Sequence, residues 1–373
     1  MKVLYVSNSV KTYSLAYQNE LPQITSLGHT LVWAANFDGF IGDRAMDIPF
    51  ETRHIDIHTS PFHKENRKAY RQVVALLREG GFDALVCTTP IGGLIGRLAA
   101  RRVGIRRVVY AAHGFLFFRG APLINRTLYK WQEHWMARMT DAIITITRED
   151  HEAACRMKLR RGGQVYLVHG AGVDIGAAPS VDRAAVRSSL GLPEEAYALL
   201  SAGFLNKNKN HAVVLRAIHA CDDRCLHYII CGEGEERERL MRLADELGLR
   251  ERVHLLGYRT DLPSIVAACD AFVMPSFREG VPRALLEAMD AGLVCIGSDT
   301  RGIRELIGDR GEGGVLCDPY DPASFARGIA RVRAMSCEEL ACIRARNRAH
   351  VHAYSSQTVR NELHDVYKDC LPL

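Results

Sequence analysis

The chain has 373 residues, 47% of them apolar and 24% charged, with a formal net charge of +5. That composition fits a folded globular protein with room for two ordinary domains, and it excludes a disordered, collagen-like or membrane-embedded chain. The 11 cysteines are scattered without a C-x-x-C pair, which argues for reduced, mostly buried thiols over a disulfide framework or a zinc site.

In chain order, short apolar runs at 2–7, 29–35, 84–88, 107–112, 142–147 and 164–169 read as buried strands. Segments 64–79, 95–102, 124–139 and 149–156 lie between them and read as helices. Residues 177–193, with two prolines, several alanines and no aromatic, read as a linker. The pattern then repeats, with strands at 197–202, 227–231, 253–256, 271–274, 294–298 and 314–315. Helices are expected at 211–220, 235–247, 262–268, 282–291 and 322–334. Strand and helix alternating in this way predict α/β architecture, with a doubly wound parallel sheet in each half. No G-x-G-x-x-G follows the first strand, where Ser7-Asn8-Ser9-Val10-Lys11 stands, so a hydride-transfer enzyme is disfavoured.

The charge is uneven. Residues 1–175 hold 23 Lys and Arg against 15 Asp and Glu, and the remainder holds 25 against 28. A basic first half calls for an anionic partner. No nucleic-acid recognition module is visible, which leaves an anionic membrane surface or a lipid diphosphate. Arg126, Lys130, Trp131, Trp135, Met136 and Arg138 interleave basic and apolar groups on one predicted helix. Such a helix suits a bilayer surface, and equally a core helix with a charged outer face. No apolar run is long enough to span a bilayer, and residues 1–6 read as a strand rather than a signal peptide. The expected location is therefore cytoplasmic, with peripheral contact at the inner face of a membrane.

Four clusters carry chemistry. Glu279 and Glu287 bracket a loop-to-helix junction in which Pro282 is expected at the first helical position. The amides of Gly280 and Val281 would sit at the positive helix end, where a phosphate or sugar hydroxyl binds. Asn206-Lys207-Asn208-Lys209-Asn210 follows a strand and opens a helix, offering amides and ammonium groups to a diphosphate. Gly257-Tyr258-Arg259 closes another strand. His113 ends a first-half strand, the end at which open α/β sheets bind ligands. There is no D-x-D motif in a suitable loop, so neither a metal nor an organic cofactor is expected.

Residues 275–305 resemble the E-x7-E block of the retaining family-4 glycosyltransferases, with Glu279, Gly280, Val281, Glu287, Ala288, Met289, Gly292, Val294, Gly302 and Glu305 in register. The chain departs from it by Asp290, Leu293 and Arg301. The segment Gly203-Phe204-Leu205-Asn206-Lys207-Asn208-Lys209-Asn210-His211 resembles the capsule and exopolysaccharide members, with Phe204 at the usual arginine. Ala112-His113-Gly114-Phe115, running on to Arg119, resembles their A-H-G-F block, and Thr88-Thr89-Pro90 their H-T-P step.

The resemblance implies a GT-B fold, two Rossmann-like domains facing across a cleft. It places an acceptor domain at 1–172, a nucleotide-sugar domain at 173–355, and a last helix at about 356–373 crossing back to the first. It implies transfer of a sugar from a nucleotide diphosphate, UDP favoured, to a saccharide or polyprenyl-diphosphate-linked acceptor, with retention and without metal. Lys209 would hold the phosphates, Glu279 the sugar hydroxyls and His113 the sugar or reaction centre. Glu287 would take the ribose, and Gly257, Tyr258 and Arg259 the base. Asn206, Lys207, Gly280 and Val281 would complete the donor pocket, with Thr89 and Arg119 on the acceptor side. A sugar-nucleotide epimerase of the same fold and a non-catalytic sugar-nucleotide binder are the alternatives.

Overall fold

The computed structural model describes residues 1–43, 47–170, 172–176 and 181–372. The chain divides into two compact units, Met1–Gly172 with Ser356–Leu373, and Val173–Ser355.

The first unit is built on a seven-stranded sheet in the order β3-β2-β1-β4-β5-β6-β7, parallel throughout. Its strands are β1 (Lys2–Ser9), β2 (Thr30–Asn36), β3 (Glu51–His54), β4 (Ala84–Thr88), β5 (Arg107–Ala112), β6 (Ala142–Thr145) and β7 (Gln164–Leu167). Crossovers between parallel strands put helices on both faces, so the central strands must be apolar on both sides. β4 and β6 are buried along their whole length. One face packs under the helices Asn66–Glu79 and Pro90–Val103 through Ala69, Val73, Leu77, Ile91 and Ile95. The other packs under Leu15–Ser26 and the C-terminal helix Ser356–Cys370 through Leu21, Ile24, Val359, Leu363 and Tyr367.

The second unit holds a six-stranded parallel sheet, β10-β9-β8-β11-β12-β13. Here β8 is Tyr197–Ala202, β9 Leu226–Cys231, β10 Val253–Gly257, β11 Ala271–Met274, β12 Val294–Ser298 and β13 Gly314–Cys317. In each unit the strand order reverses once, between β1 and β4 and between β8 and β11. The loops leaving the carboxyl ends of such a strand pair diverge and leave a crevice for a ligand.

The alternating architecture is as the sequence predicts. Several elements are not. β3 is an exposed, polar edge strand of four residues, and Glu51-Thr52-Arg53-His54 gives no apolar period. Residues 183–189, which read as linker in the sequence, form a helix whose Asp182 side chain accepts from the Ala184 and Ala185 amides. Residues 177–180 of that stretch lie outside the described residues. Helices Arg301–Ile307 and Cys337–Val351 are absent from the sequence-based expectation; the latter opens on a capping box between Ser336 and Glu339. Cys87, Cys231, Cys269, Cys295, Cys317 and Cys370 are buried free thiols, and burial raises the Cys231 thiol to about 11.

Candidate functional site

The richest cluster stands at the switch point of the second unit, where the loops after β8 and β11 come together. Two asparagines fasten them. The Phe277 amide donates to Asn208 O (2.9 Å), and the Asn208 side-chain amide donates to Arg278 O (2.9 Å). Asn210, left-handed at φ 53°, donates from its side chain to Pro275 O (3.2 Å) and Pro319 O (2.8 Å). Asn206 accepts from the Lys209 amide (3.1 Å) and so caps the short turn Lys207–Lys209. The asparagine repeat is thus a set of backbone clamps, each replacing a hydrogen bond that an irregular loop would otherwise lack.

These clamps bring Lys209 Nζ to 2.8 Å from Glu279 Oε1, with both side chains largely buried. The Lys209 stem runs over Gly203, where an added Cβ would stand 3.1 Å from Lys209 Cε. Arg301 Nε donates to the Glu279 carbonyl at 3.4 Å. Arg278 also stands here, and its proton affinity is lowered by partial burial and then by the like charge of Arg301. Glu279 therefore sits among three cations, a local excess of positive charge suited to a polyanion.

Gly280 passes so close to the next helix that a Cβ on Gly302 would lie 1.3 Å from Gly280 O. Only glycine allows the helix Arg301–Ile307 to seat its first turn on this loop. Pro282 is the N-cap, with ψ 113°, and not the first helical residue; Arg283–Asp290 is the helix. The cause is local, because Pro282 ends the extended loop one residue later than the sequence pattern suggests. Glu287, in the second turn of that helix, pairs with Arg283 at 3.2 Å. Burial pushes its carboxyl above the usual range, against the pull of Arg283 and with help from Asp174.

Gly257 is left-handed (φ 69°), and its carbonyl accepts from the Gly232 amide at 2.7 Å. Tyr258 is exposed. Arg259 is held by Asp261 at 2.7 and 2.5 Å, an acid the sequence reading did not consider.

In the first unit His113 leaves β5 with Nε2 at 3.7 Å from Glu20 Oε2. Glu20 is buried, and its other oxygen accepts from Tyr367 of the C-terminal helix at 2.6 Å. The stacked, buried rings of Phe115 and Phe117 anchor the loop that follows His113. Thr89 is a β-branched residue at φ 65° that caps the helix Pro90–Val103, a strained conformation at the end of β4. Thr88, at the position where the resembled motif has histidine, is buried and donates to Ala111 O (3.0 Å). The Arg119 side chain is exposed, while its amide donates to Glu149 at 2.7 Å.

The helical stretch Asn125–Tyr129 and Lys130–Ala137 does not present the face expected from its sequence. Met136 is buried, and Trp135 lies under the Arg101 guanidinium. The solvent-facing apolar groups are Leu123 (74% exposed), Ile124 (56%), Leu128 (50%) and Trp131 (66%). The helix is fixed by Arg97, fully buried and bonded to both Glu133 oxygens at 3.0 and 2.9 Å.

The structure thus gathers Asn206, Lys209, Glu279, Gly280 and, through Gly302, Arg301 in one place. It puts His113 with Glu20 in the other unit. Sequence reasoning placed Asn208 and Asn210 in the diphosphate turn without their clamping role, and it missed Arg278 and Glu20. The first two are legible as turn formers, but the buried Glu20 in an unpredicted helix is not.

Residues 182–369 match the family model Glycosyl transferases group 1, and residues 26–170 match the Glycosyl transferase 4-like domain. Over 285 residues the chain is 35% identical to "Putative glycosyltransferase EpsD" of Bacillus subtilis (strain 168), covering 74% of each chain. It is 30% identical over 296 residues to the Escherichia coli UDP-Gal:alpha-D-GlcNAc-diphosphoundecaprenol alpha-1,3-galactosyltransferase, covering 78% of this chain and 74% of that one. Among solved structures, Anabaena Alr3699/HepE in complex with UDP and glucose aligns with a TM-score of 0.77, over 99% of this chain and 100% of that one, at 20% identity. WaaG, a glycosyltransferase involved in lipopolysaccharide biosynthesis, aligns with a TM-score of 0.73 over 98% and 99%, at 17% identity.

Proposed function

Because the chain belongs to the group 1 glycosyl transferases and is a glycosyltransferase with two Rossmann-like units of the GT-B kind, we propose that it transfers a sugar from a UDP-sugar to a polyprenyl-diphosphate-linked saccharide, with retention and without a metal. The observation that carries the donor half is the Lys209–Glu279 pair at 2.8 Å, flanked by Arg278 and Arg301. The UDP-sugar chemistry of the E. coli relative and its lipid-linked acceptor support the substrate classes.

In this reading Val173–Ser355 is the donor domain and the first unit the acceptor domain. Lys209, the Gly280 and Val281 amides and the neighbouring cations take up charge as the bond from the anomeric carbon to the β-phosphate oxygen breaks. Glu279 accepts hydrogen bonds from sugar hydroxyls, Glu287 from the ribose, and Tyr258 stacks on the base, with Gly257 and Arg259 beside it. Asn206 completes the phosphate loop. The acceptor hydroxyl attacks the same face of the sugar, and its proton passes to the departing phosphate oxygen. His113 contacts the sugar, held by Glu20, while Thr89 and Arg119 bound the acceptor site.

The acceptor's lipid calls for a membrane surface. No described helix is long and apolar enough to cross a membrane. Leu123, Ile124, Leu128 and Trp131, with exposed Arg126 and Lys130 between them, form an amphipathic patch of the kind that rests on anionic headgroups. Sedimentation with phosphatidylglycerol vesicles tests it: Trp131→Ala with Leu128→Ala should release the protein, and unchanged binding would refute the patch.

A panel of UDP- and GDP-sugars, scored for free nucleotide with and without a polyprenyl-diphosphate saccharide, tests the whole reading. Acceptor-dependent release of UDP is expected. Conversion of the donor sugar in an acceptor-free incubation would favour an epimerase, and tight binding with neither transfer nor hydrolysis a sensor.

A further inference from the structure

The loop after β8 borders a second hollow, of about 570 Å³, between the first turns of the helices His211–Cys221 and Arg237–Glu246. Its lining includes Lys207, His211, Arg216, Glu236, Arg239 and Phe277, and does not include Lys209 or Glu279. The volume falls in the range of small-molecule sites, roughly 300–1,000 Å³.

Its charge is unbalanced. Arg239 is paired with Glu236 three residues before it. Lys207 and Arg216 make no ion pair among the described residues, and Arg216 bonds only weakly to Ala212 O, at 3.4 Å, one turn back. Two unmatched cations, one in the turn before the helix His211–Cys221 and one in its second turn, attract an anion of charge near −2, the charge a phosphate monoester approaches at neutral pH.

His211 adds a second requirement, which proton accounting makes explicit. Ser201 Oγ lies 2.5 Å from Val273 O, and a carbonyl only accepts, so Ser201 donates there. Ser201 must then accept from Tyr228 OH at 2.7 Å, which uses the one phenolic proton. Tyr228 oxygen must in turn accept from His211 Nδ1 at 2.9 Å. Nδ1 therefore carries the imidazole proton, and Nε2 is a bare acceptor. Burial, helped by Lys209, lowers His211 to about 3, so the ring stays neutral. His211 is 4% exposed, and its buried Nε2 has no hydrogen-bond partner among the described residues. An unmet buried acceptor is costly, and it asks for a donor, which the PO₃ group of a monoester dianion lacks and a sugar hydroxyl supplies.

We propose that this hollow is a binding site, separate from the Lys209–Glu279 cluster, for a hydroxyl-bearing phosphate monoester such as a sugar phosphate. Lys207 and Arg216 hold the phosphate, a hydroxyl donates to His211 Nε2, and Phe277 offers an apolar wall to the sugar ring.

Isothermal titration of the full chain with glucose 1-phosphate, inorganic phosphate and glucose tests this. Glucose 1-phosphate should bind at least about tenfold more tightly than inorganic phosphate or glucose, a margin of about 1.4 kcal/mol. Arg216→Ala should weaken it by about tenfold or more, since one charge-assisted contact of this kind is worth that much. Lys209→Ala should leave it unchanged, which separates this hollow from the donor cluster. No binding at ~10 mM ligand, equal binding of inorganic phosphate, or binding lost in Lys209→Ala and kept in Arg216→Ala would each overturn the proposal.

Discussion

Lys209 and Glu279 are 70 residues apart in the chain, and their side chains meet at 2.8 Å where the strand order of the second sheet reverses. The pair is strapped in place by Asn208 and Asn210, so the cation is fixed before any ligand arrives. Preorganised charge needs no rearrangement when the leaving group becomes anionic, and this is why such groups lower barriers. Glu279→Ala should therefore lower kcat by about 10²–10³ while far-ultraviolet circular dichroism stays that of the parent. Because removing one partner of a largely buried pair strands the other, Lys209→Ala with Glu279→Ala should be less destabilised than the two single variants sum to. Additive unfolding free energies would mean that the contact contributes nothing.

Glu287 opposes stability and function to each other. A carboxyl raised above its ordinary value in the fold binds its proton more tightly there than in the unfolded chain. Ionising it in the native state therefore costs stability. The cost sets in as pH rises from the ordinary carboxyl range through the raised value, and it is complete at neutral pH. Glu287→Gln should raise the thermal midpoint at pH 7, with the gain fading as pH falls below the ordinary carboxyl value. The same change should weaken UDP binding through loss of the ribose acceptor. A lowered midpoint at pH 7 would contradict the assignment.

Gly302 should tolerate no side chain. A Cβ added there would stand 1.3 Å from Gly280 O, so Gly302→Ala must separate the helix Arg301–Ile307 from the loop that carries Glu279. Overpacking of this kind costs about 1–3 kcal/mol, and the displaced loop should cut UDP affinity by about tenfold. Calorimetry on the folded variant checks it; wild-type affinity would show that the loop is not part of the donor site.

Much of this is legible in the sequence. The apolar runs of β4, β6, β8, β11 and β12 follow from burial on both faces, and the paired acids stand out by their spacing. What is not legible has physical causes. β3 is an exposed polar edge, so it has no hydrophobic signature. Glu20 reads as a surface acid on its own and becomes significant only when Tyr367, 347 residues on, donates to it. Trp135 and Met136 look like membrane anchors in sequence, yet burial and Arg101 claim them, leaving Trp131 with Leu123, Ile124 and Leu128 outside.

Arg97 is a fully buried cation matched by Glu133, with the Tyr110 ring 4.0 Å from its guanidinium carbon. Glu133→Ala should destabilise the protein by about 3–5 kcal/mol, the cost of an unpaired buried charge. Replacing both residues, as Arg97→Met with Glu133→Leu, should recover most of that loss. Urea denaturation of the three proteins measures it; a single variant as stable as the parent would show that water reaches the pair.

The proposed chemistry depends most on the fixed Lys209 ammonium stabilising the departing diphosphate. It is tested most directly by single-turnover transfer from a UDP-sugar to a lipid-linked acceptor in excess EDTA, comparing wild type with Lys209→Met. Full activity is expected in the wild type, with a loss of about 10²–10³ in the rate constant for the variant and UDP-sugar still bound. Equal rates in the two proteins, or a wild type that is silent in EDTA and revived by Mg²⁺, would contradict it.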